Sequence, residues 1–200
     1  MQAFTQHTGI AAPLLRINID TDAIIPSREM KTVGKRGLAE GLFAGWRYAA
    51  QGSREPNPDF VLNQPEYAGA SILLSGANFG CGSSREHAVW ALVEYGIRCV
   101  IAPSFGAIFY NNGVRNGLLP IVLDDDSVRS LATATSLHID LAARTITTAD
   151  GRVLHFSIEP AHHLMLLEGL DGIGLTQKSQ ALIDAYLARD RVQRPWVYRS

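Results

Sequence analysis

Two hundred residues, 46% of them apolar and 18% charged, are enough to bury one sizeable core. A formal net charge of −1, with no run of adjacent basic residues longer than two, argues against a nucleic-acid surface. No apolar stretch approaches the ~18 residues of a membrane-spanning helix, and Met1-Gln2-Ala3-Phe4-Thr5 lacks the charged start and apolar core of a signal peptide, so the expected location is the cytoplasm, with neither nucleic acid nor membrane as partner.

In chain order, residues 13–25 read as two short strands around Asn18-Ile19-Asp20-Thr21-Asp22, with Pro26 closing the apolar run Ala23-Ile24-Ile25. Asp20 and Asp22 lack a third ligand, so an Asx-stabilised turn is favoured over a metal site. Residues 27–37 hold four basic residues and two glycines with little periodicity, which predicts a mobile loop, either solvated or closing over an anionic ligand. Residues 38–46 predict a short helix ending near Gly45. The prolines Pro56, Pro58 and Pro65 make residues 51–65 an ordered surface crossing.

A strand at 70–74, a helix at about 84–95 closed by Gly96, and a continuous apolar strand at 99–102 make a βαβ unit with a parallel pair and a right-handed crossover. A helix over 104–112, ending at Asn111-Asn112-Gly113, and a strand over 118–123 follow. Asp124, Asp125 and Asp126 suit the N-terminal turn of a helix running to about 135, where the dipole favours acids, better than they suit a metal. Residues 137–141, 145–147 and 153–158 alternate apolar with polar, and Asp150-Gly151 is a strong hairpin turn, so a small antiparallel element follows the α/β part. His138 and His155 fall on that alternation as half-exposed sheet residues. Glu159-Pro160 opens a helix to about 169, on which the adjacent His162 and His163 point in different directions and make a poor metal pair. An amphipathic helix over 177–189 and an aromatic tail over 194–198, suited to docking on a neighbour, complete the chain.

The chemistry concentrates in residues 75–87, Ser-Gly-Ala-Asn-Phe-Gly-Cys-Gly-Ser-Ser-Arg-Glu-His, between the strand at 70–74 and the following helix. Gly76, Gly80 and Gly82 permit positive φ and close approach to a ligand, and the N–H groups and dipole of the helix favour an anion. Ser83 with Glu86 fits a capping box, with Ser83 as N-cap. Arg85 in the first turn is disfavoured by the dipole unless Glu86 or a bound anion compensates. A capped helix with a surface arginine explains the pattern as well as a ligand does; two hydroxyls, an arginine and a histidine at the mouth of a glycine loop favour a carboxylate site. The two cysteines, Cys81 and Cys99, are eighteen apart without a CxxC, so the chain carries no zinc or iron–sulfur set of its own. Cys99 reads as a buried strand residue, Cys81 as a small filler between glycines.

Asp20-Thr21-Asp22-Ala23-Ile24-Ile25-Pro26, Pro56-Asn57-Pro58-Asp59-Phe60-Val61-Leu62-Asn63, residues 78–87, Ile101-Ala102-Pro103-Ser104-Phe105 and Asp171-Gly172-Ile173-Gly174-Leu175-Thr176 together resemble the small subunits of bacterial 3-isopropylmalate dehydratases, a branch of the aconitase superfamily, over nearly the whole chain. The resemblance implies an α/β fold, the swivelling β/β/α domain, with residues 1–200 as one domain and a helical extension from about 160. It implies a partner, a large subunit holding a four-iron–four-sulfur cluster, and a small dicarboxylate substrate. It also implies a reaction, the interconversion of 2- and 3-isopropylmalate through isopropylmaleate in leucine biosynthesis.

By the same resemblance Ser83 is the base that removes the proton beside a carboxylate, Ser84 hydrogen-bonds near it, and Asp22 is an acidic site residue. Arg85 and Arg36 bind substrate, Met30 and Lys31 lie on the loop facing the substrate side group, and Gly80, Gly82 and His87 shape the loop. Relatives of this branch often carry an aromatic–Leu–Lys where this chain has Glu29-Met30-Lys31, which keeps citraconate or another methyl-substituted malate as an alternative substrate. A stand-alone phosphate- or nucleotide-binding module is the alternative of another class, but the loop has neither the Gly-Lys-Ser/Thr of a P-loop nor GxGxxG spacing.

Overall fold

The structure, a computed structural model, describes residues 1–31 and 34–198. Its centre is strand β1 (Gln6–Leu14), which changes partner half-way along. Gln6 to Ile10 pair antiparallel with β5 (Ser136–Asp140), and Ala11 to Leu14 pair parallel with β2 (Ile72–Ser75). On the parallel side follow β3 (Cys99–Ala102) and β4 (Leu119–Val122); on the antiparallel side follow β6 (Thr145–Thr148) and β7 (Val153–His155). The order is β4-β3-β2-β1-β5-β6-β7. The predicted hairpin forms, but it extends the main sheet through β5 rather than making a separate element.

Both faces of the parallel half are covered, as buried parallel strands require. Leu73, Val100 and Ala102 face one cluster together with Ala88, Val89 and Leu92 of helix α3 (Glu86–Tyr95). Their strand neighbours Ile72, Leu74, Cys99 and Ile101 face the other, where Val128 and Leu131 of α5 (Asp125–Leu131) and Met165 and Leu166 of α6 (Pro160–Glu168) pack. Each fully buried Leu or Ile contributes about 1.5–3 kcal/mol of transfer free energy. The predicted βαβ unit over 70–102 is present with parallel pairing, and Gly96 closes α3 at φ +112°.

Several local expectations give way to tertiary packing. Residues 13–25 are not two strands: the chain leaves β1 at Leu14 and forms a one-turn helix, α1 (Thr21–Ile24), capped by Asp20 accepting from the Ala23 N–H at 2.7 Å. The Asx-type reading of that stretch therefore holds. Residues 38–46 do not make one helix; Phe43 at φ +49° separates a 3-10 turn from α2 (Ala44–Arg47) and sends its own ring into the core. Helix α4 (Ala107–Arg115) runs through Asn112-Gly113 instead of stopping there, because burying Phe109 and Val114 outweighs the poor helix propensity of the asparagines and glycine. Helix α5 ends at Leu131, earlier than predicted, and a turn leads into β5. After α6, whose C-cap Gly169 is left-handed, come α7 (Gly172–Gln177) and α8 (Gln180–Gln193). Among the described residues no helix is long and apolar enough to cross a membrane.

Candidate active site

The loop leaving β2 is held from both sides. Asn78, left-handed at φ +63°, donates through its side chain to Asn18 Oδ1 at 2.8 Å. Phe79 is fully buried; its N–H reaches Ser104 O at 3.0 Å and its carbonyl accepts from the Gly106 N–H at 2.8 Å. The Gly80 N–H then binds Ile19 O at 2.7 Å, and the Cys81 carbonyl accepts from the Thr21 N–H at 3.0 Å. Gly80 has φ +71°, and a Cβ there would lie 2.1 Å from the Phe109 ring, so only glycine fits. Gly82, at φ +89°, turns the chain outward.

That turn exposes Ser83 and Ser84. The Ser83 carbonyl accepts from Thr21 Oγ1 at 3.1 Å, tying the α1 segment to the residue expected to be the base. Ser83 is not the N-cap of α3: the cap position is Arg85, and no side chain caps the helix. Glu86 turns away, accepting from Asn116 Nδ2 at 2.7 Å, so it pairs neither with the loop nor with Arg85. Arg85 is paired instead with Asp22, whose carboxylate also accepts from Ser27 Oγ at 3.4 Å. Arg85 is mostly covered (22% exposed) while Asp22 is open (55%), so the guanidinium is fixed and its anionic partner faces solvent. The first turn of α3 thus presents N–H groups without a side-chain acceptor and one oriented cation, an environment that suits an anion.

The structure therefore brings together Ser83, Ser84, Arg85, Asp22, Gly80 and Gly82. His87 packs its ring on Trp90, with centroids 4.8 Å apart, at the start of α3. Met30 is half-buried against the core, and Lys31 is exposed with its N–H bound to Glu29 O at 2.9 Å. Arg36 sits elsewhere, in a pocket of about 470 Å³ that it shares with Trp90, Glu94 and Arg98. Glu94 anchors this part of the chain by accepting the N–H groups of Gly37 (2.6 Å), Leu38 (2.5 Å) and Ala39 (2.9 Å). Desolvation opposes the Glu94 charge, but these three bonds and nearby Arg36 outweigh it and hold the carboxyl below its usual range. The adjacent Lys35 donates to Asn116 Oδ1 at 2.9 Å, and Asn116 holds Glu86, so this pocket runs along the α3 face that carries Glu86 and Glu94; Arg85 and Asp22 do not line it. Within the predicted mobile loop, Ser27–Glu29 form a 3-10 turn and Gly37 is held by Glu94; Thr32 and Val33 lie outside the described residues.

Sequence reasoning missed Thr21 as a support of the loop; its only signal was its place between two motif aspartates. It also missed a cleft of about 550 Å³ opening beside Asp22, with Trp46 in its wall. Among the described residues no three His, Cys, Asp or Glu side chains gather as a metal site.

Residues 1–126 match the aconitase C-terminal domain family. The 3-isopropylmalate dehydratase small subunit of Cupriavidus necator is 59% identical over 99% of this chain and 99% of its own length. That of Afipia carboxidovorans is 52% identical over 98% of this chain and 100% of its own. The crystal structure of a 3-isopropylmalate dehydratase chain from Methanocaldococcus jannaschii superposes with a TM-score of 0.67 at 28% identity, covering 90% of this chain and 99% of that one.

Proposed function

The chain belongs to the 3-isopropylmalate dehydratase small subunits, within the aconitase C-terminal domain family, and from that premise we propose that the loop at 80–85 is its half of an active site completed by a large subunit. The observation that carries this reading is the juxtaposition of an exposed serine pair with an oriented Arg85–Asp22 pair at an uncapped helix N-terminus. We read residues 1–200 as one swivelling unit with a helical C-terminal extension, working in the cytoplasm.

The reaction takes a proton from the carbon beside one carboxylate of 3-isopropylmalate and hydroxide from the neighbouring carbon, giving isopropylmaleate and water. Adding water back the other way round gives 2-isopropylmalate, a step of leucine biosynthesis. A carbon acid of this kind needs a base set against its proton. Ser83 Oγ is that base. Gly82 turns it outward, and the N–H groups and dipole of α3 stabilise the charge it carries when deprotonated. Ser84 hydrogen-bonds beside it. Arg85 grips a substrate carboxylate with its two-pronged guanidinium, and Asp22 holds that guanidinium in place before substrate arrives.

A four-iron–four-sulfur cluster does not fit this chain. Its two cysteines are Cys81, within the loop between Gly80 and Gly82, and Cys99, fully buried in β3. We place the cluster on the large subunit, where it supplies Lewis acidity toward the substrate hydroxyl. Ser83→Ala in the assembled enzyme tests the assignment: turnover is lost while the two subunits still co-elute. Retained turnover would remove Ser83 as the base.

A further inference from the structure

The cleft beside Asp22 has a mixed lining: Asp22, Ser27, Arg28 and Gln51 are polar, and Ala23, Pro26, Gly45 and Trp46 are apolar. Its apolar members suit a branched alkyl group, while the carboxylates of the same molecule reach Arg85, which is paired with Asp22 at the edge of the cleft. Resting on the reading that the loop at 80–85 takes an alkyl-substituted malate, we propose that Gly45 and Trp46 form the surface that selects the substrate's alkyl group.

The Trp46 ring is held like a core residue although it borders the cleft. It stacks on fully buried Phe43 with centroids 5.9 Å apart and planes 8° from parallel, and tilts against Phe60 at 6.4 Å. The Arg16 guanidinium lies 4.6 Å above the ring. The backbone is pinned by the Trp46 N–H on Phe43 O at 2.8 Å and by Asn57 Nδ2 donating to Trp46 O at 3.0 Å. A wall fixed in this way can discriminate by shape, because it does not yield to a larger group.

Gly45 sets the depth. It is exposed in α2, and a Cβ built on it meets nothing within 4 Å. A side chain there occupies open space at the cleft without displacing protein atoms, and glycine leaves that space to the ligand. Met30, which the resemblance placed near the side group, packs against the core.

The test is Gly45→Leu in the enzyme assembled with its large subunit, assayed on 3-isopropylmalate and on 3-methylmalate. One methylene in an apolar pocket changes kcat/KM by about 10–200-fold. The isopropyl-to-methyl ratio of kcat/KM is therefore expected to fall at least about tenfold, with thermal stability close to wild type. An unchanged ratio, or an equal loss on both substrates, overturns the proposal. Gly45→Ala, a one-carbon change at the same open position, repeats the test if the leucine variant does not fold, and there a ratio unmoved from wild type also overturns it. A wild-type assembly that turns over neither substrate would instead overturn the functional reading itself, and with it this assignment.

Discussion

Gly80→Ala puts the strongest demand on the account of the loop. At φ +71° an alanine is strained by about 1–2 kcal/mol. Its Cβ would lie 2.1 Å from Phe109 Cγ and 2.5 Å from Cδ2. That ring cannot swing out: Phe109 is 2% exposed, lies parallel to Phe105 at 6.3 Å and meets Phe79 edge-on at 5.2 Å. Overpacking of a filled site costs about 1–3 kcal/mol, so the expected loss is about 2–5 kcal/mol. At about 2–4 °C per kcal/mol for a chain of this size, the melting temperature should fall by roughly 4–20 °C. Urea unfolding followed by circular dichroism measures the free energy, and calorimetry the midpoint. Gly45→Ala is the control, since its Cβ meets nothing and alanine suits a helix; it should be neutral or slightly stabilising. A loss below about 1 kcal/mol for Gly80→Ala would refute both the close approach and the claim that the core dictates the path of the loop.

Arg85→Lys keeps the charge beside Asp22 but loses the two-pronged grip, so kcat/KM in the assembled enzyme should drop by about 10–150-fold, the worth of one charge-assisted hydrogen bond. Its folding stability should change by less than about 1 kcal/mol, because Asp22 is largely solvated; steady-state kinetics and urea unfolding separate the two effects. Glu94→Gln should speed amide hydrogen exchange at Gly37, Leu38 and Ala39, whose N–H groups the carboxylate accepts. Because the Glu94 carboxyl is held below the ordinary glutamate range, its stabilisation is complete above that range and is lost as the pH falls through the lower folded value. Wild-type protection of those amides should therefore persist at pH 5 and fail only in stronger acid; failure already near neutrality would contradict the anchor. A thiol reagent at pH 8 should modify Cys81 in the native protein, while Cys99 reacts only on unfolding, its thiol pushed well up by burial. Two rapidly reacting thiols would disprove that packing.

The parallel half of the fold was legible because its strands are short apolar runs and its helix is apolar nearly all round, a pattern that burial on both faces demands. The 99–102 strand and the Gly96 terminus follow from local rules alone. Strand β1 was not legible: Gly9 and Pro13 count against a strand, and it is pairing with two different neighbours that makes it one. Pro13 is tolerated because pairing with β5 has already ended at Ile10. At the site, the sequence motif marked Ser83, Arg85 and Asp22, but local spacing misassigned the helix cap. Ser83 and Glu86 have capping-box spacing, yet Asn116 takes Glu86 and Thr21 takes the Ser83 carbonyl, both from segments far away in the chain. The cleft wall at Trp46 had no sequence signal, because an aromatic stacked on Phe43 reads simply as core.

The central claim is that this chain carries the base-bearing half of a site that another subunit completes. The direct measurement is the rate of isopropylmaleate formation from 3-isopropylmalate, followed by its ultraviolet absorbance, for this chain alone and mixed anaerobically with a cluster-loaded large subunit. No turnover is expected from either subunit alone, and turnover is expected in the mixture. Turnover by the large subunit alone, or an inactive mixture with the cluster intact, would contradict it.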